Sequence, residues 1–194
     1  MIPTYIADTV PIKYNNYGVA PYVPYSVKVS TIGPLWINDP SKGLTYKFWS
    51  AYFNTATNDL YIRDNELDID TLILNEPDGI KQIQLGFDQN ANDTYAYITD
   101  TGVLKLRFFD SLIPGDSLVD LGPAHSVALT MYMKYYPSSD QSDILLYYIR
   151  DGAIYCRVQR DRFLTEYATP VTTGATRLLD SGMRTDYRFQ VRWI

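Results

Sequence analysis

ILLYYIRDGAIYCRV, residues 144–158, reads as a β-hairpin closed by Asp151-Gly152. A two-residue type I′ turn needs positive φ at both central positions, and Asp-Gly tolerates this well. The register follows from the turn. Ile149 falls opposite Ile154, Tyr147 opposite Cys156 and Leu145 opposite Val158. These residues share one face and are apolar or nearly so, which predicts a buried side. Arg150, Tyr148, Leu146, Ala153, Tyr155 and Arg157 take the other face, a mixed set expected to be partly wet.

The same unit recurs upstream. YAYITDTGVLKLRFF, residues 95–109, matches at an offset of 50, with Tyr97 on Tyr147, Gly102 on Gly152 and Arg107 on Arg157. A two-residue Thr101-Gly102 turn would pair Thr99 with Leu104, Tyr97 with Leu106 and Tyr95 with Phe108, on one buried face. LYIRDNELDI, residues 60–69, aligns at an offset of 87, with IRDN over IRDG. Asp64-Asn65 then becomes the turn, and Leu60, Ile62, Leu67 and Ile69 point one way. A further strand precedes each hairpin: KFWSAYFN (47–54), KQIQLGFD (81–88) and SVALTMYMKYY (126–136). Small antiparallel sheets at this spacing predict an all-β, β-propeller-like domain over residues 36–194. Three copies fall short of a ring of four or more blades. A fourth sheet from residues 25–46 and the last strand, an open ring, or closure by other chains would each account for this.

Residues 1–35 differ in kind. They hold five of the eleven prolines and Tyr5, Tyr14, Tyr17, Tyr22 and Tyr25. Proline at this density blocks helices and central strands alike. The segment therefore reads as an extended arm laid on another surface, an assembly element, although 25–32 alternates well enough for a strand. Residues 36–46 are rich in turn formers. RFLTEYA (162–168) and VTTGATRLL (171–179) are candidate outer strands. TDYRFQVRWI closes the chain as a strand with Tyr187, Phe189, Val191 and Trp193 on one face. No window favours a helix over period-two alternation.

Composition narrows the function. No run of about 18 apolar residues is present, so no membrane-spanning helix is expected, and MIPTYIADTVPIKYNNY lacks the pattern of a secretory signal. Residues 54–120 carry 13 acids against 4 bases, so a basic nucleic-acid footprint is missing. One cysteine, Cys156, and one histidine, His125, leave neither a disulfide nor a Cys/His zinc site within one chain. In DNELDID (64–70) Asp64, Glu66, Asp68 and Asp70 alternate, but Ile69 and Asn75 stand where a calcium loop needs glycine and glutamate. A solvated strand face is the preferred reading, and no metal or cofactor is expected. Nucleophile-elbow, phosphate-loop and dinucleotide motifs are missing, as is a sialidase-type Asp-box, so the chain is not expected to be an enzyme. Trp36, Trp49 and the tyrosines of 132–136 could stack on sugar rings, with core packing the plainer alternative. The polar loop 137–143 is the best place for an added function, with Tyr136, Ser138, Asp140 and Asp143 as ligand-facing candidates.

Three strings carry a resemblance: residues 78–110, residues 142–167 and the ending RLLDSGMRTDYRFQVRWI (177–194). The Gly-Phe-Asp spacing, the Tyr-Ile-Arg-Asp-Gly hairpin, the Gln-Arg-Asp-Arg run and the closing strand resemble the C-terminal propeller-like region of tailed-bacteriophage virion proteins, usually minor tail proteins. The resemblance covers roughly residues 45–194. It implies a structural protein of the tail, made in the host cytoplasm and built into the virion, such as a tail-tip, collar or fibre-attachment component. The implied partners are other virion tail proteins and further copies of this chain in a homo-oligomer. The alternative is a receptor-binding adhesin that grips a host surface glycan or protein.

Overall fold

The computed structural model describes residues 27–39, 43–64, 67–88, 92–110, 116–132, 143–183 and 189–194. Twelve of its strands form three four-stranded antiparallel sheets, each wound in chain order. The first is β1 (Val27–Asp39), β2 (Gly43–Asn54), β3 (Asp59–Asp64) and β4 (Ile69–Asn75). The second is β5 (Ile80–Phe87), β6 (Asp93–Thr99), β7 (Val103–Phe109) and β8 (Asp116–Pro123). The third is β9 (Ser126–Tyr132), β10 (Asp143–Arg150), β11 (Ala153–Val158) and the short β12 (Tyr167–Ala168). A two-stranded sheet of β13 (Leu178–Met183) and β14 (Phe189–Trp193) follows. The only helical turn among the described residues is a 3-10 turn at Gln159–Asp161.

The sheets pack face to face in series. They meet mainly through their first strands, β1 on β5, β5 on β9 and β9 on β13, so each junction is tightest there and opens towards the fourth strands. Between the first and second sheets lie Ala51, Phe53, Leu60, Ile62, Ile83, Leu85, Phe87, Tyr95 and Tyr97. Ala96, Ile98, Leu104, Leu106 and Phe108 meet Val127, Leu129, Ile144, Leu146 and Tyr148 at the second junction. Leu145, Tyr147, Ile149 and Ile154 meet Leu178 and Val191 at the third. Alternate residues of β6 and β10 therefore enter different cores. Each fully buried leucine, isoleucine or phenylalanine contributes about 1.5–3 kcal/mol.

The hairpin at 144–158 has the expected register, with Ile149 opposite Ile154, Tyr147 opposite Cys156 and Leu145 opposite Val158. Asp151 and Gly152 both have positive φ, 51° and 78°. Its second face is partly wet, as expected: Arg150, Ala153, Tyr155 and Arg157 are partly exposed. Leu146 and Tyr148 on that face are fully buried, where the second sheet covers it.

The other two hairpins correct the sequence reading. In the second, Ala96 faces Leu106, Tyr95 faces Arg107 and Thr94 faces Phe108. Three residues, 100–102, make the turn, with Gly102 at φ 90°. The extra turn residue shifts the register by one and sends Tyr95 and Tyr97 to a different core from Leu104, Leu106 and Phe108. In the first sheet Asp64 is no turn residue but pairs with Ile69 across a longer connection. Leu60 and Ile62 are buried there, while Leu67 and Ile69 are exposed. The true counterpart of Asp151-Gly152 is the turn between Asn54 and Asp59, where Asn58 takes φ 59°. KFWSAYFN is consequently the end of a second strand, and β1 precedes it.

Residues 27–35, expected in the arm, form most of β1, and β1 and β2 run on through 36–39 and 43–46 with Trp36 opposite Tyr46. The rest of the arm up to residue 26 lies outside the described residues. RFLTEYA yields only the two residues of β12. VTTGATRLL is a strand only from Leu178; its earlier part is a loop in which the Val171 carbonyl accepts the Ile154 amide at 2.9 Å and Ala175 enters the third core.

Gly152 fixes both the turn and this loop, since an added Cβ would stand 3.0 Å from the Gly174 amide nitrogen. A Gly152→Val variant should lose about 1–2 kcal/mol from the left-handed backbone alone, and more from the clash. Urea unfolding measures this, and an unchanged midpoint would contradict the turn assignment.

Candidate functional site

The recurring polar feature is an arginine at the fifth residue of each third strand: Arg63 of β3, Arg107 of β7 and Arg157 of β11. Each reaches a carboxylate on, or just before, the fourth strand of its own sheet. Arg63 Nη1 donates to Asp70 Oδ2 at 2.8 Å and also pairs with Asp68. Arg107 donates to Asp116 and lies 3.7 Å from Asp93 Oδ2. Arg157 Nη2 donates to Glu166 Oε2 at 3.3 Å. Strand alternation puts Arg107 on the face of Tyr95, towards the first sheet, and Arg157 on the face of Leu146, towards the second. Arg107 and Arg157 thus stand where the junctions begin to open, while Arg63, opposite Ser50, lies on the first sheet's face away from the second.

Tyrosines complete each cluster. Arg107 lies over the Tyr95 ring, 5.5 Å from its centre, and the Tyr95 hydroxyl donates to Asp93. At the next junction Arg150 covers the stacked Tyr148 and Tyr155 rings at 5.3 and 5.7 Å. Its Nη1 donates to Glu166 at 3.1 Å, while Nε and Nη2 donate to the carbonyls of Pro123 and Leu121. Arg157 also donates to the Tyr148 hydroxyl and to the carbonyls of Phe163 and Leu164. Between the first two sheets buried Glu76 accepts Lys105 Nζ and the Tyr97 hydroxyl, each at 2.9 Å. Arg162, in a left-handed conformation, donates to buried Asp110.

The electrostatics favour holding over proton transfer. Burial, then the bond to Glu166, pushes the Tyr148 hydroxyl up to about 12. Burial likewise raises Tyr95 and Tyr97, and lifts the Cys156 thiol to about 11. These groups remain protonated at neutral pH and act as donors. For Glu166 burial works upward, but the Tyr148 bond and the two guanidiniums outweigh it and hold the carboxyl below its ordinary range.

The residues singled out in the sequence fare differently. Tyr5, Tyr14, Tyr17, Tyr22 and Tyr25 lie outside the described residues, as do Tyr136, Ser138 and Asp140. Asp143 opens β10 opposite Tyr132. Trp49 is half-buried against the first core, edge-on to Phe87 at 6.3 Å, as the plainer alternative had it. Within the acidic run Asp68 and Asp70 engage Arg63, and buried Asp64 accepts the Leu67 amide at 3.1 Å. Among the described residues no group of three potential ligands could hold a metal ion. The arginine series was half-visible: Arg107 fell on Arg157 in the repeat, but the IRDN-over-IRDG alignment set Arg63 on Arg150 and hid the third member.

No described protein family matches the chain, and no curated protein is similar to it in sequence. Solved structures are similar in fold. AofleA from Arthrobotrys oligospora aligns with a TM-score of 0.52 at 14% identity, over 84% of this chain and 49% of that one. Its variant with three arginines replaced by alanine aligns with the same score and coverage at 15% identity. An auxiliary nutrient binding protein from Bacteroides thetaiotaomicron gives a TM-score of 0.47 at 11% identity, over 83% and 45% of the two chains. The chain spans about half the length of each of these structures.

Loss of the Glu166 contacts should be visible in pH dependence. A carboxyl held low in the folded state adds stability above its unfolded value, and that stability is lost as pH falls through the lower folded value. Glu166→Gln should lower Tm at neutral pH and flatten its decline in acid. An unchanged acid limb in a Tm-against-pH series would show that the pair adds nothing.

Proposed function

We propose that this protein is a non-enzymatic structural component of a bacteriophage tail, built as a propeller-like row of sheets and acting through protein–protein contacts, including contacts between its own copies. The phage setting rests on the sequence resemblance. The mode of action rests on one observation, the placing of the exposed apolar side chains. Leu67, Ile69 and Leu72 are on or beside β4, Phe109 and Leu118 on the outer pair of the second sheet, and Leu164 and Tyr167 around β12. Leu179, Trp193 and Ile194 belong to the last hairpin and the residue after it. Among the residues whose side chains are described these are the large exposed apolar ones, and they gather around the fourth strands, at the end of β7 and at the end of the row. Apolar surface concentrated in this way marks interaction sites.

A second reading, the receptor-binding adhesin, is favoured by the arginine–carboxylate–tyrosine clusters at the opening junctions, since planar donors beside aromatic rings suit polyhydroxylated ligands. Cryo-EM of the intact particle tests the two together. The structural role expects the outer strands covered by other tail proteins, and Leu118→Glu with Leu164→Glu should fold yet fail to be incorporated. A distal position with open clefts, and host binding abolished by Arg107→Ala, would establish the adhesin instead. Absence from the particle would defeat both.

A further inference from the structure

The two junctions between the four-stranded sheets are filled differently. The second is closed by the chain's own segment, residues 159–166. The Gln159 side chain accepts the Ile144 amide at 3.1 Å and donates to Asp88 Oδ2 at 3.2 Å, so it spans both sheets. Arg162 donates to Asp110, and the Phe163 ring lies edge-on to Phe108, 5.0 Å between centres. Arg157 Nη1 holds the segment by the carbonyls of Phe163 and Leu164, at 2.7 and 3.0 Å. Arg162 and Phe163 both have left-handed backbone, with φ 60° and 58°. Such a conformation persists where surrounding contacts hold it, and here the contacts are those of insertion between two sheets.

Among the described residues no such segment enters the first junction. Strand pairing puts Asp116, Leu118 and Asp120 of β8 on the face of Phe109, Arg107 and Lys105, towards the first sheet. All three are exposed, whereas Ser117, Val119 and Leu121, on the side of the filled junction, are half-buried. Across the opening, Ile69 pairs with Asp64 and so shares the face of Trp49, towards the second sheet. Ile69 is 54% exposed and Leu118 55%. β4 is exposed on both faces from Ile69 to Leu72. Arg107 is the counterpart of Arg157, yet its enclosed Nη1 has no hydrogen-bond acceptor and lies 3.7 Å from Asp93 Oδ2.

Charge decides what this groove takes. Glu76 and Asp78 lie beside Lys105, Asp93 and Asp116 lie beside Arg107, and Asp120 pairs across from Lys105 on β8. Five carboxylates thus meet two cations. The excess of acid favours a basic group, and Leu118 and Ile69 on opposite walls favour an apolar one next to it. Arg162-Phe163 is such a pair, and the second junction shows how main chain carrying it seats between these sheets. We propose that the first junction is a docking groove for a segment of another protein that carries a basic residue followed by an aromatic one. The basic side chain meets Asp116 and Asp120, and the ring lies between Leu118 and Ile69. The proposal deepens the reading above by naming the kind of partner segment, and rests on it only for the partner's being a tail protein.

Fluorescence anisotropy of a labelled QRDRFLTE peptide, the sequence of residues 159–166, titrated with the full-length chain tests this. Binding should saturate, and weaken with added salt. Ile69→Lys and Leu118→Lys, changes at exposed sites on opposite walls, should each weaken it about fivefold or more. A peptide with alanine in place of its phenylalanine should lose about as much. Thr172→Lys adds the same charge to an exposed loop of the third sheet and should leave binding unchanged. Circular dichroism checks that each variant is folded, and serine replaces the lysine where it is not, with weaker binding still expected. Lack of saturable binding would overturn the proposal. So would folded Ile69 and Leu118 variants that bind as the wild type does, or an equal loss in Thr172→Lys. Displacement of the peptide by a neutral oligosaccharide would overturn it in favour of the adhesin. Intact peptide binding in a protein missing from the virion would sink only the tail role.

Discussion

Burial of the middle sheets on both faces is the constraint that the rest of the structure obeys. A sheet covered on one side can spend alternate residues on water. The second and third sheets cannot, and their central strands read almost without a polar break: Tyr95, Ala96, Tyr97 and Ile98 in β6, and Ile144 through Ile149 in β10. Tyrosine suits these positions because its ring fills a junction while its hydroxyl reaches a polar partner at the rim. Tyr97 reaches Glu76, and Tyr148 reaches Glu166. Tyrosine at these positions thus suits sheets that taper apart.

The taper also explains the arginines. Fourth strands lie where neighbouring sheets have separated, and their exposed faces have little apolar contact to hold them. An ion pair from the third strand, repeated in all three sheets, ties each one back. Partial burial makes these pairs stronger than fully exposed ones, and the bonds from Arg157 to two carbonyls add geometry that a lone charge could not. The same clusters are the most polar part of the junctions. The adhesin reading assigns its ligand contacts to these same side chains, so their removal tests both roles.

Much of this was legible in the sequence, for identifiable reasons. Asp151-Gly152 fixed one hairpin to the residue, because that dipeptide admits few alternatives. Thr101-Gly102 misled, because a glycine at φ 90° serves a three-residue turn as well as a two-residue one, and a one-residue slip reverses every side chain. The IRDN string misled more deeply: local identity to IRDG outweighed the strand pattern, moving a turn from 55–58 to 64–65 and masking Arg63. The apolar run of β10 could not say which face would be covered, since a strand buried on both sides has no alternation to read. The expected ligand loop and assembly arm fall largely outside the described residues, and the polar clusters lie instead on strands that periodicity had assigned to packing.

The second hairpin carries the account most directly, because its register decides which residues enter which core. Cross-strand nuclear Overhauser contacts in isotopically labelled protein read that register without reference to function. The account predicts direct pairing of Ala96 with Leu106 and of Thr94 with Phe108. Direct pairing of Tyr97 with Leu106 and of Tyr95 with Phe108 would contradict it, placing tyrosines and leucines on one face and dissolving the two separate cores.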